Sequence, residues 1–171
     1  MTGPEQVPLP SHSPHCLGCG PDNPAGIHLE VVRAGDAVVT DVTFDERHIG
    51  APGLTHGGAV AAACDDLFGF VLYVVGEPAV TRSLQVDYLA PVPLHQTHRI
   101  TARLDSRDGR KLHMIAEGAA PDGPIRFTAR ATFVVVQLAH FERYGAMALH
   151  PGLSAIGNPT SPTRRPETTH G

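Results

Sequence analysis

The amino-acid sequence predicts an α+β domain in which an antiparallel sheet wraps around one long central helix. Residues 56–76 contain no proline and many small apolar residues, a pattern typical of one long buried helix. Alternating apolar and polar residues on both sides of this segment predict strands separated by turn residues. Because one helix cannot cover both faces of a six-stranded sheet, we expect the remaining face or an edge to bind a partner chain.

Composition narrows the classes of function. The 171 residues suit one domain, and 42% hydrophobic with 18% charged residues is ordinary for a soluble protein. A net charge of −4 without a basic cluster argues against nucleic-acid binding. Asp65 and Asp66 interrupt the most apolar stretch and argue against a membrane span. Three cysteines and an N-terminus unlike a signal peptide favour the cytoplasm.

The chain divides into three predicted regions. Residues 1–26 predict an irregular arm, residues 27–141 the domain, and residues 142–171 a tail that is largely disordered by composition. Asp108-Gly109 is a strong hairpin signal. The predicted strands are residues 27–32, 37–44, 79–89, 98–105, 111–117 and 125–136, with a polar loop at 45–55 and a short helix at 137–144.

The start of the long helix carries the first candidate site, His56-Gly57-Gly58. Paired glycines allow a ligand to approach the backbone closely. The first N–H groups of a helix have no partner within the helix and lie at the positive end of its dipole, so they can polarise a carbonyl oxygen. The alternative is a tight turn in which glycine only relieves crowding.

Asp65 and Asp66 form the second candidate site, because buried carboxylates are costly and usually paired or functional. Successive helical side chains point about 100° apart, so the two carboxylates should have different environments. The alternative is that both meet solvent or a basic partner. Gly57 and Asp65 lie about 12 Å apart along one helix at 1.5 Å per residue. One carbonyl can therefore contact both groups only if two antiparallel helices form a dimer with shared sites.

A third feature is the segment His15-Cys16-Leu17-Gly18-Cys19. Its C-x-x-C suggests zinc, with His12 and His15 as further ligands. The spacing is compressed for a zinc knuckle, and no second ligand pair follows in the sequence. Zinc, a redox pair and an ordered loop remain open, and an ordered loop is favoured. We therefore expect no metal or cofactor in the reaction.

Three segments resemble the hotdog-fold thioesterases of the phenylacetate-pathway (PaaI) type. They are GAPGLTHGGAVAAACDDLFG, TRSLQVDYLAPVP and CLGCGPDNPAGIHL, which together span roughly residues 16–141. The resemblance implies hydrolysis of an acyl-coenzyme A by a homodimer, or by a dimer of dimers, without a cofactor.

The resemblance also implies the roles of individual residues. Asp65 would activate water or attack the thioester directly, and the Gly57 N–H would polarise the carbonyl. His56 would have a positioning role, and Thr81 would orient the carboxylate. The sequence departs from many relatives in having no Asn or Gln in the loop before the H-G-G motif, and His48 is the residue available to substitute.

The coenzyme A end of the substrate carries phosphates, which arginine and lysine bind well. Gly58 and His48 are candidates for contact with the acyl-thioester end, while Arg110 and Lys111 at a hairpin tip, and then Arg82, are candidates for the phosphates. An exposed hairpin tip without a ligand is the alternative. A non-catalytic acyl-coenzyme A-binding module is the alternative function. A hotdog dehydratase would require an Asp–His pair in another arrangement, and the sequence shows none.

Overall fold

The computed structural model describes residues 5–121, 123–145 and 150–156. Seven of its strands form one antiparallel sheet in the order β1-β2-β3-β7-β8-β9-β6, and β4 and β5 form a separate small hairpin. In chain order the strands are β1 (Gln6–Pro8), β2 (Val31–Ala34), β3 (Ala37–Thr43), β4 (Ile49–Ala51), β5 (Leu54–Thr55), β6 (Ala79–Tyr88), β7 (Thr97–Asp108), β8 (Lys111–Ala119) and β9 (Ile125–Val135). The helices are α1 (Gly57–Val75), α2 (Ala139–Glu142) and α3 (Pro151–Ile156), and Glu46–His48 form one 3-10 turn.

The long helix α1 has the predicted limits because both of its ends are capped. The His56 side chain accepts the Gly58 N–H at the first turn, where helical N–H groups lack partners. At the other end, Gly76 adopts a left-handed conformation with φ of 78°, which glycine tolerates at no steric cost. Local chemistry thus confirms the predicted helix over its whole length.

The core lies between α1 and the sheet, and α1 packs across β3, β6, β7 and β9. Leu67, Phe68 and Val71 are completely buried on the helix, and their burial contributes on the order of 1.5–3 kcal/mol for each side chain. By length and composition α1 is also apolar enough to cross a membrane, but in this fold it is the central helix against which the sheet packs.

Strands β3 and β6 to β9 confirm the predicted strands, and β7 and β8 form the predicted hairpin. The last three strands pair in chain order, but β6 pairs with β9 and not with β7, so the four strands after the helix are not a simple meander. The first predicted strand is shifted, because β2 begins only at Val31. Before it, the Ile27 and Leu29 N–H groups donate to carbonyl groups of the loop at residues 17 and 18, each at 2.9 Å. The structure also places β1 within the predicted irregular arm and β4–β5 within the predicted polar loop.

The predicted disordered tail contains a short helix, α3, which packs against α1. Ile156 is only 2% exposed, and a Cβ atom at Gly152 would overlap the Tyr73 hydroxyl and the His12 backbone, at 2.5 and 2.8 Å. The compositional prediction therefore differs from the structure at residues 151–156, where a short helix buries apolar surface against α1. Residues 146–149 and 157–171 of the predicted tail lie outside the described residues.

Candidate active site

The N-terminal end of α1 presents a backbone donor to a cavity. The cavity measures about 440 Å³ and lies beside Gly57. Gly58 donates its N–H to His56 Nδ1 at 2.8 Å, so this group is already satisfied. Among the described residues the Gly57 N–H has no hydrogen-bond partner. The arrangement leaves the Gly57 N–H as a donor available to a carbonyl oxygen, while the His56 side chain caps the first turn of α1.

Tyr88 at the end of β6 was missed as a site residue by sequence reasoning. Its hydroxyl donates to the Gly57 carbonyl at 2.5 Å, and a methyl group at Gly57 would lie 3.1 Å from the same oxygen. Glycine at position 57 therefore allows the tyrosine to approach the first turn of α1. Strand alternation predicted only the face on which Tyr88 lies, because the helix contact joins residues 31 apart in the chain.

His48 has the contacts of a residue that supports the loop before α1. Its ring is buried, packs edge-on against Phe44 at a centroid distance of 5.6 Å, and accepts the Asp45 N–H at 3.4 Å. Its backbone carbonyl accepts the His56 N–H at 2.7 Å. These contacts position the start of the helix, and they do not aim the ring of His48 at the Gly57 cavity, as its predicted substitution for an amide would require.

Asp65, in the middle of α1, lies at a second cavity of about 320 Å³. Thr81 on β6 donates its hydroxyl to Asp65 Oδ1 at 3.0 Å, which is the orienting contact that the resemblance implied. Burial raises the pKa of Asp65, and the Thr81 hydrogen bond partly opposes this increase. A carboxylate that is fixed by one donor and poorly solvated is a suitable general base or nucleophile.

Asp66 has a different environment, as the angle between successive helical side chains predicts. Its side chain is only 9% exposed and contacts His12 and Cys16 of the N-terminal arm. Burial raises the pKa of this carboxyl as well. Both carboxyl groups thus line the cavity, but Asp65 contacts Thr81, whereas Asp66 belongs to a cluster with arm residues.

We call the Gly57 N–H with its cavity the donor half-site, and Asp65 with Thr81 the carboxylate half-site. These two half-sites do not meet within one chain. Gly57 and Asp65 lie on the same helix, about 12 Å apart along its axis, and no residue lines both of their cavities. Leu54, Val60 and Tyr88 contribute to the first cavity. Within one chain, the Gly57 donor and the Asp65 carboxylate therefore lie at separate openings.

The predicted phosphate ligands lie apart from both half-sites, in exposed positions. Arg110 and Lys111 form the tip of the β7–β8 hairpin, and Arg82 lies at a β-bulge next to Thr81. The tip is anchored near the C-terminal end of α1, where Arg107 forms an ion pair with Glu77. Arg82 directly follows Thr81, which contacts Asp65. The hairpin tip lies near the C-terminal end of α1, at the opposite end from Gly57.

Two further cavities, of about 390 and 440 Å³, lie along the outer face of the sheet. Their linings come from β3, β7, β8 and β9 and include Arg99, Arg103 and Glu117. None of the candidate site residues lines them. We therefore place the candidate chemistry at the two openings along α1.

Comparison with known proteins matches residues 52–125 to the family model of the thioesterase superfamily. The acyl-coenzyme A thioesterase THEM4 of Bos taurus is 38% identical over 65 residues, which are 38% of this chain and 26% of that protein. THEM4 of Xenopus laevis is 33% identical over 87 residues, which are 50% of this chain and 39% of that protein. The matched segments thus span well under half of these relatives.

Solved structures extend the similarity to the fold. A thioesterase superfamily protein has a TM-score of 0.68 and 28% identity, over 72% of this chain and 61% of its own. The Escherichia coli PaaI protein has a TM-score of 0.60 and 16% identity, over 65% of this chain and 81% of its own. The sheet around one central helix is therefore the hotdog fold. The segment that matches the thioesterase superfamily model, residues 52–125, contains Gly57, Asp65 and Thr81.

Proposed function

We propose that the protein hydrolyses an acyl-coenzyme A to a free acid and coenzyme A. The observation that carries this proposal is the Asp65 carboxylate, partly buried at a cavity and oriented by the Thr81 hydroxyl at 3.0 Å. The names of the curated relatives support coenzyme A thioesters as the substrate class. The cavity beside Asp65, about 320 Å³, is of a size that suits a small or medium acyl group, including an aryl one.

In the proposed reaction the Gly57 N–H donates to the thioester carbonyl oxygen as negative charge develops there. Asp65 then either takes a proton from an attacking water or attacks the carbonyl carbon itself to form an anhydride that water hydrolyses. In both routes the C–S bond breaks, coenzyme A leaves as a thiolate, and a proton from the attacking water neutralises it. The difference between the routes lies only in whether Asp65 becomes acylated.

The proposal requires two chains for each site. Antiparallel packing of two α1 helices would bring Gly57 of one chain near Asp65 of the other, since the two residues lie about 12 Å apart within a chain. Strand β6 ends the sheet and has one unpaired edge, which supports pairing with another copy. Tyr88 and Leu89, 51% and 61% exposed, are apolar side chains beside the Gly57 cavity that a second copy would cover.

The direct test is a panel of acyl-coenzyme A thioesters of increasing length, including aryl ones, with release of free thiol measured at several enzyme concentrations. We expect turnover of at least one small or medium acyl group. Tight binding of acyl-coenzyme A without thiol release across the panel would instead support the non-catalytic binding module.

Thr81→Ala is expected to lower kcat roughly tenfold, as the loss of one hydrogen bond to a charged group worth about 1.5 kcal/mol implies. Because the Thr81 hydrogen bond lowers the pKa of Asp65, its removal raises that pKa further. The reaction needs the ionised carboxylate, so the acid limb of the kcat/KM profile should move to higher pH. Thr81→Ser keeps the hydroxyl and should restore the wild-type limb, and an unchanged limb in Thr81→Ala would contradict the contact's role.

Neutralising Arg110 and Lys111 together is expected to raise KM for acyl-coenzyme A about fivefold, since exposed charge contacts are each worth under about 1 kcal/mol. KM for a short pantetheine thioester should not change, because that substrate lacks the nucleotide phosphates. Arg103→Gln, on the outer face of the sheet, is the matched control. Equal effects on both substrates would show that the hairpin tip does not bind the nucleotide.

A further inference from the structure

Four side chains that the proposed reaction does not use converge beneath the N-terminal arm. His12, Cys16 and Cys19 come from the arm, and Asp66 comes from α1. Their ligand atoms all lie within 4.8 Å of one another. Asp66 Oδ1 lies 3.1 Å from His12 Nδ1, 3.0 Å from Cys16 Sγ and 3.8 Å from Cys19 Sγ, and Cys19 Sγ lies 3.4 Å from His12 Nδ1.

The cluster carries more polar capacity than its own contacts satisfy. Asp66 Oδ2 and His12 Nε2 are buried and have no hydrogen-bond partner among the described residues. Polar groups that are buried without full pairing are costly unless a bound ligand or ion satisfies their surroundings.

Glycines at two positions allow the N-terminal arm and α1 to approach each other closely around the cluster. A Cβ atom at Gly18, between the two cysteines, would overlap the Asp66 carboxylate, and one at Gly69 would lie 2.8 Å from the His12 ring. The Gly20 N–H donates to the Cys16 carbonyl at 3.0 Å and closes the turn that carries both sulfur atoms. The two glycines thus allow the arm and the helix to place all four ligands around one point.

We propose that His12 Nδ1, Cys16 Sγ, Cys19 Sγ and Asp66 Oδ1 bind one structural zinc ion. A tetrahedral zinc with bonds of about 2.0–2.3 Å separates its ligand atoms by roughly 3.3–3.8 Å. The four separations given above are 3.0–3.8 Å, so the shortest two need to lengthen by only a few tenths of an ångström. Two thiolates and an imidazole select zinc over magnesium or calcium. Four protein ligands complete the coordination, so the ion fixes structure and leaves no position for substrate.

The ion would fasten the arm to the middle of α1. His12 and Asp66 also line the cavity that contains Asp65, so zinc would hold one wall of that cavity in place without taking part in the reaction. This inference does not depend on the proposed hydrolysis, because metal content and catalysis are measured separately. Asp65→Asn should keep its zinc even where it loses activity.

The first test is the metal content of the full-length, untagged protein, expressed with added zinc and purified in a reducing buffer without a chelator. We expect about one zinc per chain by atomic emission and a fall in Tm of several degrees when a chelator removes it. Cobalt in place of zinc should give sulfur-to-cobalt charge-transfer absorption, a readout that needs no variant.

Variants then locate the site. Cys19→Ser and Asp66→Asn should each lower the zinc content at least tenfold, whereas His15→Ala, which removes an exposed imidazole beside Cys16, should not change it. Zinc content that is equal in Cys19→Ser and wild type would overturn the proposal. So would wild-type protein that binds neither zinc nor cobalt, or a Cys16–Cys19 disulfide found by mass spectrometry in metal-free protein isolated without reductant.

Discussion

Asp65→Asn is expected to reduce kcat by about 10²- to 10⁴-fold, the range that a positioned acid–base group contributes. Asparagine has nearly the same shape, and its amide oxygen can still accept the Thr81 hydroxyl. It can neither take a proton from water nor attack a carbonyl carbon. Binding of the substrate should therefore change much less than turnover, and single-turnover thiol release should fall by the same factor as kcat.

The same variant should be at least as stable as the wild type at neutral pH. The pKa of Asp65 is raised in the folded protein because burial disfavours its charged form, so the ionised carboxylate costs stability above that pKa. Asparagine removes this cost. The gain in Tm should shrink as the pH falls and Asp65 becomes protonated in both the folded and the unfolded chain. An inactive variant with a lower Tm at neutral pH would indicate structural damage.

Two other carboxylates complete the experiment. Asp41→Asn, in an exposed pair with Arg99 on the outer face of the sheet, should keep wild-type kcat. Asp66→Asn should have a lower zinc content and a lower Tm than the wild type, while it keeps the contact between Asp65 and Thr81. Wild-type kcat in Asp65→Asn would end the assignment of the catalytic carboxylate, whatever the result for Asp66.

The sequence predicted those parts of the fold that short-range chemistry decides. The limits of α1 depend on His56 and Gly76, which act within a few residues of themselves, and the β7–β8 hairpin depends on Asp108-Gly109. The short α3 was missed because its stability comes from packing against α1, which composition does not reveal.

The candidate site was predictable only in part, because some of its contacts join residues that are far apart in the chain and depend on packing. The motif around Gly57 and Asp65 is local, and the resemblance supplied Thr81, which is 16 residues from Asp65. The cluster beneath the arm joins Cys19 to Asp66 across 47 residues. The spacing within the arm is compressed for a zinc knuckle, and only the packing of the arm on α1 brings the Asp66 carboxylate to the cysteines. The burial of His48 against Phe44 depends on the folded loop and could not be predicted from the sequence.

A shared site predicts that two inactive variants restore activity in a mixed dimer. Gly57→Pro is the best partner for Asp65→Asn, because proline removes the N–H and is favoured at the first helical position, so the helix is retained. The preceding residue, His56, has an extended backbone with ψ of 131°, which proline requires. Gly57→Ala adds a similar Cβ beside Tyr88 but keeps the N–H, and is the matched control.

Gly57→Pro alone should lose about 10²- to 10³-fold in kcat, the effect of removing one oxyanion donor. In a heterodimer with Asp65→Asn, one site contains the intact Gly57 and the intact Asp65, while the other contains both defects. The isolated heterodimer should therefore show about half of the wild-type activity, and a freely exchanged equal mixture about a quarter. Differently tagged chains, purified through both tags, isolate the heterodimer for the measurement. If Gly57 and Asp65 served one site within the same chain, that heterodimer would have no intact site, and its activity would stay at the level of the two parent variants.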